Sequence, residues 1–175
     1  MKQDLVILGL LKEGPKHGYE IKKTIVEVLS TFTNVDSTSI YYPLNRLEKK
    51  GLVEKKSGRK GKRPEKFIYK ITKEGEAIFE QLVNENFLTF QRPAFNVDLS
   101  LYFLPLVRTG LAQTRLRSRL RGMKKIMRWL KQRKLSLEKQ KQSYYLLAII
   151  EHQLELTRAD IKFTQGLISK LKPHK

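Results

Sequence analysis

Over the first fifty residues apolar side chains recur every three or four positions, which predicts three consecutive helices. The first covers residues 4–12 and is stopped by Gly14-Pro15. The second opens at His17-Gly18 and runs to about residue 32. Asn34, Asp36, Ser37 and Thr38 carry oxygens able to accept from free backbone N–H groups, so the third helix is expected to start among them and to run to Lys50, where Gly51 ends it. The period then changes to two. Leu52-Val53-Glu54-Lys55 and Lys66-Phe67-Ile68-Tyr69-Lys70-Ile71 read as short strands around a Gly, Lys, Arg and Pro cluster. Thr72 with Glu74-Gly75-Glu76 opens a fourth helix, in which Ala77, Ile78, Leu82, Val83 and Phe87 keep helical spacing until Arg92-Pro93. Beyond that hinge come a short apolar helix over 97–106 and two long helices over 108–135 and 143–171.

Three helices followed by a two-stranded hairpin with a cationic tip is the order of a winged helix-turn-helix, whose third helix enters the major groove of DNA. On that helix Ile40, Leu44 and Leu47 form one apolar stripe, and Ser37, Thr38, Ser39, Tyr41, Tyr42, Asn45, Arg46 and Lys49 occupy the other sides. Hydroxyls and helix N-terminal amides bind phosphate, Asn pairs with adenine and Arg with guanine or phosphate. An ordinary solvated helix face is the competing reading of these polar residues. The hairpin tip favours DNA: Lys55, Lys56, Arg59, Lys60, Lys62, Arg63 and Lys66 stand against a single acid, Glu65, and Gly58, Gly61 and Pro64 keep the loop from becoming helical. The expected fold is therefore mostly α, with a winged helix-turn-helix DNA-binding domain over 1–92 and an all-helical domain over 93–175.

Composition adds a partner of opposite charge. The 175 residues are 40% apolar and 30% charged, a globular mixture. Lys and Arg number 36 against 17 Asp and Glu, a formal charge of +19, which points first to nucleic acid and second to an anionic membrane. The charge is unevenly shared, about +5 over residues 1–90 and about +14 over 91–175. The absence of Cys excludes disulfides, thiolate zinc sites and a cysteine nucleophile, and fits a reducing cytosol as it would other compartments. The apolar run Leu5 to Leu11 is far shorter than a membrane span, so neither a signal peptide nor a transmembrane helix is expected.

Several motifs carry a family likeness. Ile7-Leu8-Gly9-Leu10-Leu11, Gly14-Pro15, His17-Gly18-Tyr19-Glu20-Ile21 and Ser39-Ile40-Tyr41-Tyr42-Pro43-Leu44-Asn45-Arg46-Leu47-Glu48-Lys49-Lys50-Gly51-Leu52-Val53 resemble the PadR family of transcriptional regulators. Arg63-Pro64 and Phe67-Ile68-Tyr69-Lys70-Ile71-Thr72-Lys73-Glu74-Gly75 resemble the family's wing and its entry to the fourth helix. Val97-Asp98-Leu99, Phe103-Leu104-Pro105-Leu106, Glu151-His152 and Asp160 resemble, more loosely, the Vir-type helical C-terminal domain of one branch. The resemblance implies a homodimeric regulator, often a repressor, that binds a pseudo-palindromic operator, with Ser39, Tyr41, Arg46 and the wing bases as DNA contacts. One position departs from the pattern: Pro43 stands where family members commonly carry a small residue. Proline is tolerated only near a helix start, so the third helix either begins late or bends.

In the second half, Leu147, Ile150, Leu154, Thr157, Ile161, Thr164, Ile168 and Leu171 alternate spacings of three and four, a row of period 3.5 widened by Leu146, Ile149, Leu156, Phe163 and Leu167. Together with the family likeness this row is assigned to a dimer interface, part of it to packing on the preceding helix. That helix carries Leu116, Leu120, Met123, Met127 and Leu130 on one face and Arg117, Arg121, Lys124, Arg128 and Lys131 beside it, with no acid from Leu99 through Leu137. A solvated face, contact with DNA flanks or another anion, and a membrane surface all remain open for this stripe. Trp129 reads as core, with an apolar effector groove as the alternative.

No catalytic set assembles. His17, His152 and His174 have no metal-ligand spacing, His17 reads as a capping and packing residue, and residues 58–63 lack a phosphate-loop pattern. The sequence therefore predicts a non-enzymatic, cytoplasmic, chromosome-associated regulator without metal or cofactor. Its partners are double-stranded DNA, a second copy of itself and an unidentified small-molecule or anionic effector, and no stable membrane association is expected. A non-specific architectural DNA-coating protein is the alternative function.

Overall fold

A computed structural model of the chain describes residues 2–29, 39–58, 66–90 and 95–171. They form two compact units, Met1–Gln91 and Arg92–Lys175.

The first unit begins with α1 (Lys2–Lys12), a two-residue strand β1 (Lys16–His17) and α2 (Gly18–Glu27). It continues with α3 (Tyr41–Lys49), strands β2 (Val53–Gly58) and β3 (Lys66–Ile71), and α4 (Lys73–Leu88). Gly14, at φ +146°, turns the chain after α1 in a conformation that favours glycine, and Lys16 and His17 then pair antiparallel with Tyr69 and Ile68. This third strand was not expected from sequence, because two residues are too few to show a period. The sheet order is β1-β3-β2, and the hairpin register runs from Val53 opposite Ile71 to Gly58 opposite Lys66.

Two boundaries differ from the pattern reading. The second helix ends at Glu27 rather than near residue 32. The third begins at Tyr41 rather than among residues 34–38, and Pro43 gives the reason. A proline at the third helical residue gives up an N–H that has no partner in the first turn, whereas a helix begun earlier would need that N–H and would meet the ring.

The core of this unit is one cluster. Ile7, Leu8 and Leu11 of α1, Ile21 and Ile25 of α2, Ile40, Leu44 and Leu47 around α3, and Val53, Tyr69 and Ile71 of the hairpin are all buried. At about 1.5–3 kcal/mol for each large apolar side chain withdrawn from water, the three residues around α3 suffice to set which side of that helix faces inward. Thr72 joins the hairpin to α4. As N-cap its Oγ1 accepts the Gly75 N–H at 3.0 Å and donates to the Gly51 carbonyl at 2.8 Å. Gly75 is buried there because any side chain would collide with the Leu52 carbonyl oxygen.

The second unit contains α5 (Asn96–Tyr102), a 3-10 turn at Leu104–Leu106, α6 (Thr109–Lys139) and α7 (Tyr144–Lys170). Pro105 ends the short helix before residue 106, since the residue ahead of a proline is pushed out of the helical region. α6 outlasts its expected end at residue 135 because Leu137 continues the buried row Leu116, Met123, Leu130 at seven-residue steps. α6 and α7 pack as an antiparallel hairpin. Gln113 Nε2 donates to the Leu171 carbonyl, Arg119 pairs with Asp160 at 2.6 Å and Lys134 with Glu151 at 2.6 Å. Leu130, Leu137, Ile150 and Leu154 fill the interior of the hairpin between these ties.

Candidate nucleic-acid interface

The position of α3 follows from its two ends and its buried side. At its C-terminus Gly51 adopts φ +70°, the Leu52 N–H donates to Leu47 O at 3.0 Å and the Gly51 N–H to Glu48 O at 2.9 Å. This pair of bonds is a Schellman turn, and it sends the chain directly into β2. On the inner side Leu44 is fully buried, with Pro43, Leu47 and Ile40 around it. With 100° between successive residues, Tyr41, Asn45, Lys49 and Tyr42 fall within about 100° of one another on the opposite side. All four are exposed, Tyr42 at 71% and Tyr41 at 53%. Ser39 is exposed just ahead of the helix. Nine residues make a helix about 13 Å long, a length and width that a B-DNA major groove accepts.

Arg46 lies at the flank of this face and is turned away from it. Its Nη2 donates to Asp4 Oδ1 of α1, and its Nε is buried with no hydrogen-bond partner among the described residues. Of the other expected contacts, Ser37, Thr38, Arg59, Lys60, Lys62 and Arg63 lie outside the described residues. Lys66 is described only through its backbone, which pairs with Gly58. Lys56 is exposed on β2, whereas Lys55 lies over the Phe67 ring at 3.9 Å, a cation–π contact that ties the two strands of the hairpin.

α2 supports the same face. His17 stands at its N-cap: its N–H donates to the Glu20 carboxylate at 2.6 Å, and Nδ1 donates to the Phe67 carbonyl at 3.0 Å. The ring therefore ties the start of α2 to β3. Gly18 follows in close contact with α3, for a Cβ there would lie 2.8 Å from the Tyr41 ring. Neither residue shows in the hydrophobic pattern as a neighbour of the third helix. The signal was the adjacency of His and Gly at a helix entrance, and it said nothing of what they touch. Beneath α3, burial pushes the Tyr69 phenol above its ordinary range, and the Glu48 carboxylate adds to the shift.

In the second unit the row expected to pair two subunits is largely used within the chain. Ile150, Leu154 and Thr164 are buried in the α6–α7 hairpin, and Leu147, Thr157, Ile161, Ile168 and Leu171 are half-buried. Those first three positions pack within the hairpin, as the sequence assigned to part of the row, since a period of 3.5 serves a helix's own neighbour as well as a second copy. Along the middle of α7 Leu156 and Phe163 are exposed, as are Tyr144 and Tyr145 at its start. Leu156 and Phe163 line a groove of about 700 Å³ with Phe95, Val97, Met123 and Ile126. A second cavity of about 470 Å³ lies among Val97, Leu101, Leu104, Leu111 and Leu116. Trp129, expected in the core, is 44% exposed, because α6 turns Leu130 and Met123 inward instead. The stripe Arg117, Arg121, Lys124, Arg128 and Lys131 is exposed throughout. No helix among the described residues is long and apolar enough to cross a membrane.

Known proteins place this geometry. The profile of the transcriptional regulator PadR-like family matches residues 7–81, the stretch from α1 into α4. A Lysinibacillus sphaericus protein known only as an uncharacterized protein is 32% identical over 82 residues, 47% of this chain and 75% of its own. The solved structure of Bacillus subtilis PadR in complex with operator DNA superposes with a TM-score of 0.79 at 20% identity, covering 98% of this chain and all of that one. PadR-like regulator BC1756 from Bacillus cereus gives 0.70 at 21%, over 98% and 97%. Bacillus subtilis PadR in complex with p-coumaric acid gives 0.67 at 20%, over 96% and 93%. At such identities the solved structures establish the fold, which extends through both units. With residues 7–81 matching its profile, the chain belongs to the PadR-like family of transcriptional regulators, a family of DNA-binding proteins rather than enzymes.

Proposed function

We propose that this chain is a cytoplasmic, chromosome-associated repressor that binds a pseudo-palindromic operator as a homodimer. The observation that carries the reading is the division of α3 between a buried side, Ile40, Leu44 and Leu47, and an outward side, Tyr41, Tyr42, Asn45 and Lys49. In this reading Asn45 and the two tyrosines meet base edges, Ser39 and Lys49 meet phosphates, and the wing bases Arg59, Lys60, Lys62, Arg63 and Lys66 hold the flanking backbone. Arg46 acts as a positioning residue: its guanidinium is engaged with Asp4, so it orients the helix instead of reading a base.

The homodimer is supported by the apolar surface that the second unit leaves open, with Leu156, Phe163 and Ile126 about half exposed around one groove. Repression asks for nothing beyond the DNA face, since a bound dimer excludes polymerase from the same duplex. The relative solved with p-coumaric acid is a reason to include small aromatic acids in an effector screen.

The test is selection of bound sites from random duplexes followed by footprinting. A bounded footprint with two half-sites about 34–36 Å apart, one helical turn, supports the reading. Uniform protection with no preferred sequence overturns it in favour of an architectural DNA-coating protein, the reading that the broad positive charge of the second half supports.

A further inference from the structure

We propose that the outer face of α6 is a second DNA-binding surface, one that grips duplex phosphates without regard to sequence. It goes beyond the operator contact because it involves neither α3 nor the wing, and it rests on that reading only in taking duplex DNA as the polyanion at hand.

The negative charge of the second half is taken up away from this face. Residues 91–175 contain five acids, Asp98, Glu138, Glu151, Glu155 and Asp160. Four of these are engaged with cations off the stripe: Asp160 with Arg119, Glu138 and Glu151 with Lys134, and Glu155 with Arg158. Among the described residues no carboxylate reaches Arg117, Arg121, Lys124, Arg128 or Lys131. The nearest thing to a partner is neutral, the Ser118 hydroxyl that accepts from Arg121 at 2.9 Å.

These five cations succeed one another at four- and three-residue steps, the spacing at which side chains are neighbours on a helix. Like charges in that arrangement repel and weaken the helix, and the hairpin's burial of Leu116, Met123, Leu130 and Leu137 has to outweigh them. The row rises about 21 Å, a length over which duplex DNA presents roughly a dozen phosphates. Long flexible cations at this pitch suit a phosphate backbone and carry no information about base sequence.

A membrane is the weaker partner for geometric reasons. An interfacial helix sinks its apolar face into lipid, and here that face is spent inside the hairpin. The apolar side chains that α6 does expose near its middle, Ile126 and Trp129, fall on the far flank, about 80° to 180° around the helix from the cations.

The test uses the full chain with Arg117, Arg121, Lys124, Arg128 and Lys131 all changed to Gln, which keeps helix propensity and removes the repulsion. A lighter variant with only Arg117→Gln, Arg121→Gln and Lys124→Gln guards against misfolding, and both are checked by their helical circular dichroism. A control carries Arg115→Gln, Lys125→Gln and Arg133→Gln, the same loss of charge as the lighter variant but off the stripe. Binding to a random-sequence duplex is followed against salt. The expected result is a loss of at least tenfold in affinity for the five-site variant and a salt slope shallower by about 3–5, close to one unit for each phosphate no longer neutralised, with a smaller loss for the lighter variant and operator preference over random DNA retained. Unchanged affinity and slope overturn the proposal. So does an equal loss in the three-site control, which would reduce the effect to net charge. So does loss of binding to phosphatidylserine vesicles alone, which would assign the stripe to a membrane. Stripe-dependent binding to random DNA with no operator preference overturns the operator reading and upholds this one.

Discussion

The Arg46 guanidinium on α3 is bonded to the Asp4 carboxylate on α1, so the arginine at the edge of the exposed side points back into its own domain. Removing either partner takes a charged hydrogen bond from the other, but Arg46 is 37% exposed and water recovers part of the loss. Arg46→Ala and Asp4→Asn are expected to lower stability by about 1 kcal/mol each, measured by urea midpoint. Both should weaken binding to all operator variants alike. An Arg46→Ala effect confined to one base pair would show instead that the guanidinium leaves Asp4 to read a base.

Tyr42 and Asn45 support nothing beneath them, since both lie on the outward side of α3. Tyr42→Ala and Asn45→Ala are therefore expected to leave thermal stability within about 0.5 kcal/mol of the parent. Operator preference over scrambled DNA should fall by about 1–3 kcal/mol for each substitution in competition binding, while non-specific affinity stays. Equal loss on both DNAs would contradict base reading.

Gly18 offers a way to move Tyr41 without deleting it. The Cβ introduced by Gly18→Ala meets the Tyr41 ring at 2.8 Å, and a half-exposed ring can swing aside. The expected outcome is a folded protein with altered operator affinity and a shifted Tyr41 resonance. A melt lowered by several kcal/mol would mean the ring is held more firmly than its exposure implies.

Tyr69 sets an alkaline dependence. Burial first, then Glu48, raises its phenol above 10.0 in the folded chain. The folded state thus keeps the proton more tightly than the unfolded one, and the associated stability is complete below about pH 10 and is lost as pH rises from there through the folded value. Tyr69→Phe is expected to show a smaller fall in urea midpoint above about pH 10 than the parent. Parallel curves would place no titration at Tyr69.

Leu156 and Phe163 separate assembly from folding. Each is about half exposed on α7, whereas Leu130 is 3% exposed inside the hairpin. Leu156→Ser with Phe163→Ser is expected to shift sedimentation from dimer toward monomer with the helical melt nearly unchanged. Leu130→Ala should cost about 2–5 kcal/mol of stability through the cavity it leaves. A double variant that remains dimeric would move the interface elsewhere.

The order of the helices, the β2–β3 hairpin and the apolar rows were legible in sequence because each is a local property: period 3.6 or 2, a Gly stop, a Thr cap; the two-residue β1 was not. The exposure of Tyr41, Tyr42, Asn45 and Lys49 was legible for the same reason, since Ile40, Leu44 and Leu47 define the opposite side. What local pattern cannot carry is the identity of the neighbour. Nothing around Arg46 in the sequence points to Asp4, forty-two positions earlier in the chain, as its partner. The row through Ile150, Leu154 and Thr164 reads as an interface with part of it packed on the preceding helix, and which positions that helix takes is seen only when α6 is laid against it. A side chain's periodicity and charge are written in its own segment, so the sequence determined which faces exist. Which face meets which depends on atoms brought together from distant segments, and that was decided only by the tertiary structure.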